Sequence, residues 1–382
     1  MEETQAQREE RVASSTLELF FDLVFVFGFT QITGVVTHDE TAVGLLHGVL
    51  VFGVLWWAWG AYAWLTNAVP VDETLPRLVV LAATAAMLVT ALAVPTAWQD
   101  GGHEGGVAFA LGYLVVMLLH TLLFVVAGEN PETTRRAILR LAPTNIAAAL
   151  LLVVAGAADG GAQLTLWVAA LAVTYAGPYL TGVTGFTVHP THLVERHGLI
   201  VIVALGESVV AIGAGGDIDV DGGLAGVALA AMVVIVGLWW AYFDHDAAAS
   251  EEALVAATGP ERARMARDVY SYLHIPLVLG IVLSAVGIHD ALVHPGEPLD
   301  ALVAGALAGG VALFLAGLLA IRLRAGRLRP TPAAWTALAV ALVMTVAGAH
   351  VDAAVAVGVL AVTVASLAIA ERQRPPVVES TA

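Results

Sequence analysis

The chain has 382 residues, 59% of them apolar and 13% charged, against roughly 45–50% and about 25% in a soluble domain; this excludes an ordinary water-soluble enzyme. The absence of Cys excludes disulfides, thiol nucleophiles and thiolate-bound metal centres. A formal net charge of −16, with Arg as the only basic residue besides His, excludes a nucleic-acid partner, whose phosphates require clustered Lys and Arg.

A hydrocarbon core about 30 Å thick takes roughly 20 apolar residues per spanning helix. The first fifteen residues, MEETQAQREERVASS, are polar and lack the basic-then-apolar start of a cleavable signal, so the first apolar run is expected to stay as an anchor. In chain order the runs fall at 16–36, 42–65, 77–97, 106–127, 137–155, 164–184, 198–214, 223–243, 269–289, 299–321, 333–349 and 351–370. They predict an all-α polytopic membrane protein with twelve transmembrane helices.

The Arg residues test that count, because cytoplasmic loops retain positive charge. Arg8 and Arg11 precede the first run, and Arg77, Arg135, Arg136, Arg140 and Arg196 follow even-numbered ones. So do Arg262, Arg264, Arg267, Arg322, Arg324, Arg327, Arg329, Arg372 and Arg374. All sixteen therefore share one side, which places both termini in the cytoplasm. The opposite side carries acids, among them Glu40, Asp100, Asp217, Asp219, Asp221, Asp290 and Asp300.

Short matches recur at similar offsets: LWWA at Leu55 and Leu238, VAGA at Val154 and Val346, LAVT at Leu171 and Leu360. They point to two parallel six-helix repeats related by an axis along the membrane normal, a layout common among transporters. The expected organisation is a polar cytoplasmic N-terminus at 1–15, a first repeat at 16–184, a cytoplasmic linker at 185–197, a second repeat at 198–370 and a cytoplasmic tail at 371–382.

Ionisable groups inside membrane helices are costly, and each is a candidate functional residue. Glu18 and Asp22 stand four apart on one helical face of the first span. Glu207, counted from a span starting at 198, lies about ten residues in, near the midplane, beside Ser208 and a Gly206 that would allow close helix approach. His120 and His274 complete the substrate or proton-coupling candidates, and Arg77, Arg196, Arg267, Asp72 and Asp244 the charge-pair candidates. His189, His192 and His197 cluster with Glu195 in the expected linker, but without a zinc-binding pattern. No acid, base and nucleophile converge, so neither an enzyme, a metal nor a cofactor is expected.

Several segments are specific enough to carry a resemblance: LELFFDLVFVFGFTQIT, LWWAWGAY, HLVERHGLIVIVALGES, LWWAYFD and ARDVYSYLHIPLVLGIVLSAVG. Together they are similar to the bacterial low-temperature-requirement protein A (LtrA) family along nearly the whole chain. The resemblance implies a multi-pass membrane protein named for growth in the cold. It singles out Glu18, Phe21, Asp22, Asn67, Asp72, Arg77, Glu195, Arg196, His197, Gly206, Glu207, Ser208, Asp244, Arg267, Asp268 and His274. The leading functional expectation is a secondary transporter or proton-coupled permease in the plasma membrane. A cation channel, or a non-transport membrane protein or membrane-embedded enzyme supporting growth in the cold, are the alternatives. The expected partners are the lipid bilayer and a small solute or ion, and a homo-oligomer is compatible with the sequence.

Overall fold

The computed structural model describes residues 15–71, 73–99, 101, 103–127, 131–213 and 222–372. Asp72, Asp100, Asp217, Asp219, Asp221, Arg8, Arg11, Arg374, nearly all of the N-terminal segment and all but the first two residues of the expected C-terminal tail lie outside them.

The described chain is all-helical, with twelve helices long and apolar enough to cross a membrane. They are α1 (Thr16–His38), α2 (Ala42–Ala68), α3 (Thr74–Leu92), α4 (His103–Ala127), α5 (Pro131–Gly156) and α6 (Gly160–Thr181). α7 (Pro190–Gly213), α8 (Gly222–Ala256), α9 (Gly259–Val293), α10 (Ala301–Ala325), α11 (Pro332–Ala347) and α12 (Ala353–Glu371) follow. Helix is the only open-chain solution in lipid, because every backbone N–H and C=O must find its partner within the segment. Local signals set the ends. Ser15 and Glu18 form a reciprocal capping box at the start of α1, Thr331 caps α11 through the Ala334 N–H, and Gly326, at φ 70°, ends α10 in the left-handed region.

Three helices depart most from the expected boundaries. α7 starts at Pro190, so residues 190–197 of the expected linker are helical. α8 and α9 are each 35 residues long and run well past the points where charge suggested an end. The expected boundaries assumed that charges mark water. Here paired charges are carried inside helices, and the Ala- and Glu-rich stretch after Tyr242 has strong helix propensity. Both long helices contain a π-helical turn, Tyr242–Asp246 in α8 and Arg267–Leu273 in α9; such turns often occur at functional positions.

The chain divides into two compact units: unit 1 is Met1–Asp39, Val43–His197 and Ala257–Arg267, and unit 2 is Glu40–Ala42, Gly198–Ala256 and Asp268–Ala382. In unit 1, α4 packs on α3 and α5, and α5 on α6. Its core is aromatic, with Phe21 stacked on Tyr62 at 4.8 Å and Trp56 against Trp59 at 5.2 Å. In unit 2, α9 and α10 make the closest pair. A Cβ on Gly280 would sit 2.5 Å from the Gly310 carbonyl, and one on Gly310 2.5 Å from that of Gly280, so only glycine permits this backbone approach. The two LWWA segments differ in environment. Trp56 and Trp57 are buried, and Trp57 donates to Asn145 at 3.1 Å, whereas Trp239 is 42% exposed on an outer face.

Candidate functional site

The N-terminal turns of α1 and α7 meet in unit 1 around a buried ionic cluster. Their spacing along α1 puts Glu18 and Asp22 on the same face, and each is only 2% exposed. Arg196, 0% exposed, reaches across from α7 and grips Asp22 bidentately, Nη1 to Oδ2 at 2.8 Å and Nη2 to Oδ1 at 2.9 Å. The planar guanidinium fork matches a carboxylate in this way. Trp59 of α2 donates its indole N–H to Asp22 Oδ1 at 2.9 Å, and the Arg196 guanidinium lies 5.9 Å over its ring.

Glu18 is held less tightly. One oxygen accepts the Ser15 N–H at 2.8 Å, which closes the capping box, but Oε1 stands 3.6 Å from Arg196 Nε, outside hydrogen-bond reach. His192 Nε2 straddles the carboxylate, 3.2 Å from Oε1 and 3.4 Å from Oε2. The tautomer of His192 follows from Asn67. That side chain accepts the His189 N–H on Oδ1 and donates to the His189 carbonyl, both at 2.8 Å, so its amide orientation is fixed. Its Nδ2 therefore donates to His192 Nδ1, at 3.3 Å, and in the neutral ring the proton sits on Nε2, aimed at Glu18. Two carboxylates against one guanidinium leave one formal negative charge in this buried space. A single proton or monovalent cation would neutralise it.

The other candidates do not join this cluster. Arg77 is exposed at the start of α3, and Arg267 stacks on Tyr179 at 4.1 Å. Asp244 contacts His245 at 2.8 Å, and His120 donates from Nε2 to the Ala61 carbonyl at 3.1 Å as a packed core residue. Glu207 and Ser208 are both buried. Because α7 begins at Pro190, however, its centre falls near Val201, and Glu207 lies about 8 Å beyond it toward the C-terminal end at 1.5 Å per residue. Gly206 brings no helix close: beyond its own helical turn and chain neighbours, no atom of the described residues lies within 4 Å of where its Cβ would be.

Unit 2 holds a second buried cluster that inspection of apolar runs missed. Arg322, near the end of α10, gives Nε and Nη2 to Asp246 at 2.6 Å each, and Nη1 and Nη2 to Glu371 at 2.8 and 2.7 Å. Thr331 adds a 2.8 Å donation to Glu371. All three charges adjoin the predicted span ends at 243, 321 and 370, where they read as water-exposed flanks. The signal that was available is the run LLAIRL, in which Arg322 interrupts an apolar face with no break in helix propensity.

The same unit contains His274, whose Nδ1 donates to the Val269 carbonyl at 2.8 Å, leaving Nε2 to accept the Tyr242 hydroxyl at 2.9 Å. The π-helical turns of α8 and α9 deliver these groups. Tyr242→Phe removes the donor to a buried ring nitrogen and is expected to cost about 1–3 kcal/mol, read as a lower thermal midpoint in detergent; an unchanged midpoint would mean the bond contributes nothing. Glu40, between α1 and α2, sits near Asp290 and Asp300, and burial together with these negative charges pushes its carboxyl above the ordinary range.

A family model described as bacterial low temperature requirement A protein (LtrA) matches residues 13–370. The chain is also similar to an uncharacterized protein of Rhizobium meliloti (strain 1021), 27% identical over 336 residues that span 85% of this chain and 80% of that protein. No solved structure matches.

Proposed function

The chain belongs to the bacterial low temperature requirement A family, and from that premise we propose that it is a proton-coupled secondary transporter of a small solute or ion in the plasma membrane. In this reading the twelve helices form two parallel six-helix repeats with both termini and the Arg-bearing ends in the cytoplasm. Transport, not structure alone, is favoured by one observation: the Glu18–Asp22–Arg196–His192 cluster is buried, carries one uncompensated negative charge and grips Glu18 loosely. A fully satisfied cluster would serve only to lock helices together, whereas an under-satisfied carboxylate facing a neutral imidazole can exchange a proton as access alternates. Glu207 is the second carboxylate available for coupling.

The test is uptake into proteoliposomes under an imposed pH gradient, against a panel of monovalent cations and small organic solutes. Glu18→Gln keeps shape and hydrogen bonding but cannot release a proton, so pH-driven uptake is expected to fall at least about tenfold while counterflow exchange persists. Wild-type uptake in both Glu18→Gln and Glu207→Gln would refute proton coupling at these groups. Large unitary currents in a planar bilayer would replace the transporter with a channel.

A further inference from the structure

In unit 2 a groove of about 380 Å³ runs between the outer faces of α8 and α12. Leu229, Met232, Val236 and Ala368 line it together with Trp240, midway along α8, and Arg372, the residue that ends α12. The lining faces outward: Leu229 is 70% exposed and Val236 44%. On helices that cross hydrocarbon, such a surface meets lipid and not water.

The polar end has two features that an apolar groove alone would lack. The Arg372 guanidinium lies 5.1 Å over the Trp240 ring, an arrangement that fixes the cation and leaves its N–H edge open. Among the described residues no carboxylate pairs with it, because the neighbouring Glu371 is committed to Arg322. Trp240 Nε1 is a buried donor with no acceptor among the described residues, a costly state at a membrane boundary. A cation and an orphaned N–H at one end of an acyl-shaped trough are complementary to a phosphate bearing a hydrocarbon tail.

We propose that this groove is a binding site for one anionic phospholipid, its phosphate accepting from Arg372 and Trp240 Nε1 and one acyl chain lying along Leu229, Met232, Val236 and Ala368. The anionic class follows from charge. A zwitterionic headgroup carries its own cation, which offsets the attraction of Arg372, whereas a net negative one keeps it. Arg372 at a helix end can keep its head at the headgroup level while its stem packs on apolar surface.

The experiment is native mass spectrometry of the full-length protein, purified in detergent and titrated with phosphatidylglycerol or with phosphatidylcholine of identical chains. Wild-type protein is expected to retain one phosphatidylglycerol with a preference of about fivefold, the value expected for one cationic contact. Arg372→Gln should bring the preference to about one, and Arg372→Lys should restore most of it. Ala368→Phe, at a half-exposed position that fills the trough, should reduce retention of both lipids. Equal retention of the two lipids by wild type, or a preference that survives Arg372→Gln, would overturn the headgroup assignment. Unchanged retention in Ala368→Phe would overturn the groove, as would a dimer of this chain that Ala368→Phe dissociates without altering retained lipid.

Discussion

Arg196→Gln is expected to lower stability by about 3–5 kcal/mol, the usual cost of breaking a buried ion pair by removing one partner. The reason lies in the geometry of unit 1. Asp22 receives two of its hydrogen bonds from Arg196, and Glu18 faces the same guanidinium at 3.6 Å. Without it, two carboxylates share a nearly dry space that no guanidinium enters, faced among the described residues by the Trp59 and Ser15 N–H groups, the Thr66 hydroxyl and His192. Asp22→Asn alone leaves Arg196 facing Glu18 at 3.6 Å and should cost less. Combining Asp22→Asn with Arg196→Gln removes both ends of the bidentate pair and should be milder than Arg196→Gln by itself. Thermal midpoints and the monodisperse fraction in detergent measure all four proteins. Strictly additive losses would show that Asp22 and Arg196 are not coupled. Arg77→Gln, changed in parallel, should behave as an exposed-site substitution, within about 0.5 kcal/mol of wild type.

The second large effect concerns Arg322, which makes four hydrogen bonds to two buried carboxylates. Arg322→Gln should again cost about 3–5 kcal/mol, because it strands Asp246 and Glu371 together. The two clusters should then part company. Every nitrogen of Arg322 is used, and Thr331 supplies a further donor to Glu371, so this cluster fits the role of a lock holding α8, α10 and α12. Replacing the set by apolar residues of similar size, Arg322→Met with Asp246→Leu and Glu371→Leu, should recover most of the lost stability and leave pH-driven uptake within about twofold of wild type. The corresponding apolar replacement of Glu18, Asp22 and Arg196 should recover stability but not uptake. Equal loss of uptake in both triple variants would remove the distinction between a locking cluster and a working one. Failure of the unit 2 triple variant to regain stability would mean that its ion network cannot be replaced by packing.

Local chemistry was sufficient to read the class of the protein, the number of long apolar helices and most of their positions. The lipid environment leaves a chain few choices: about twenty apolar residues without a break form a helix because no other open-chain conformation satisfies its own backbone. The pairing on one face of Glu18 and Asp22 also follows from the 3.6-residue turn alone. The partner of these acids could not be read in the same way. Arg77, Arg196 and Arg267 all stand near span ends, and nothing local distinguishes them.

Only the tertiary structure decided that Arg196 closes the ion pairs, that α7 begins at Pro190 so that His192 and Arg196 lie within a helix, and that Asp246, Arg322 and Glu371 are buried together. A charged residue in sequence looks like a signal for water. Packed against an opposite charge from a helix up to 174 residues away, the same residue is compatible with burial, because the guanidinium and carboxylates supply the hydrogen bonds that water would have made. That exchange depends on which helices become neighbours, which is a property of the whole fold and not of any window along the chain.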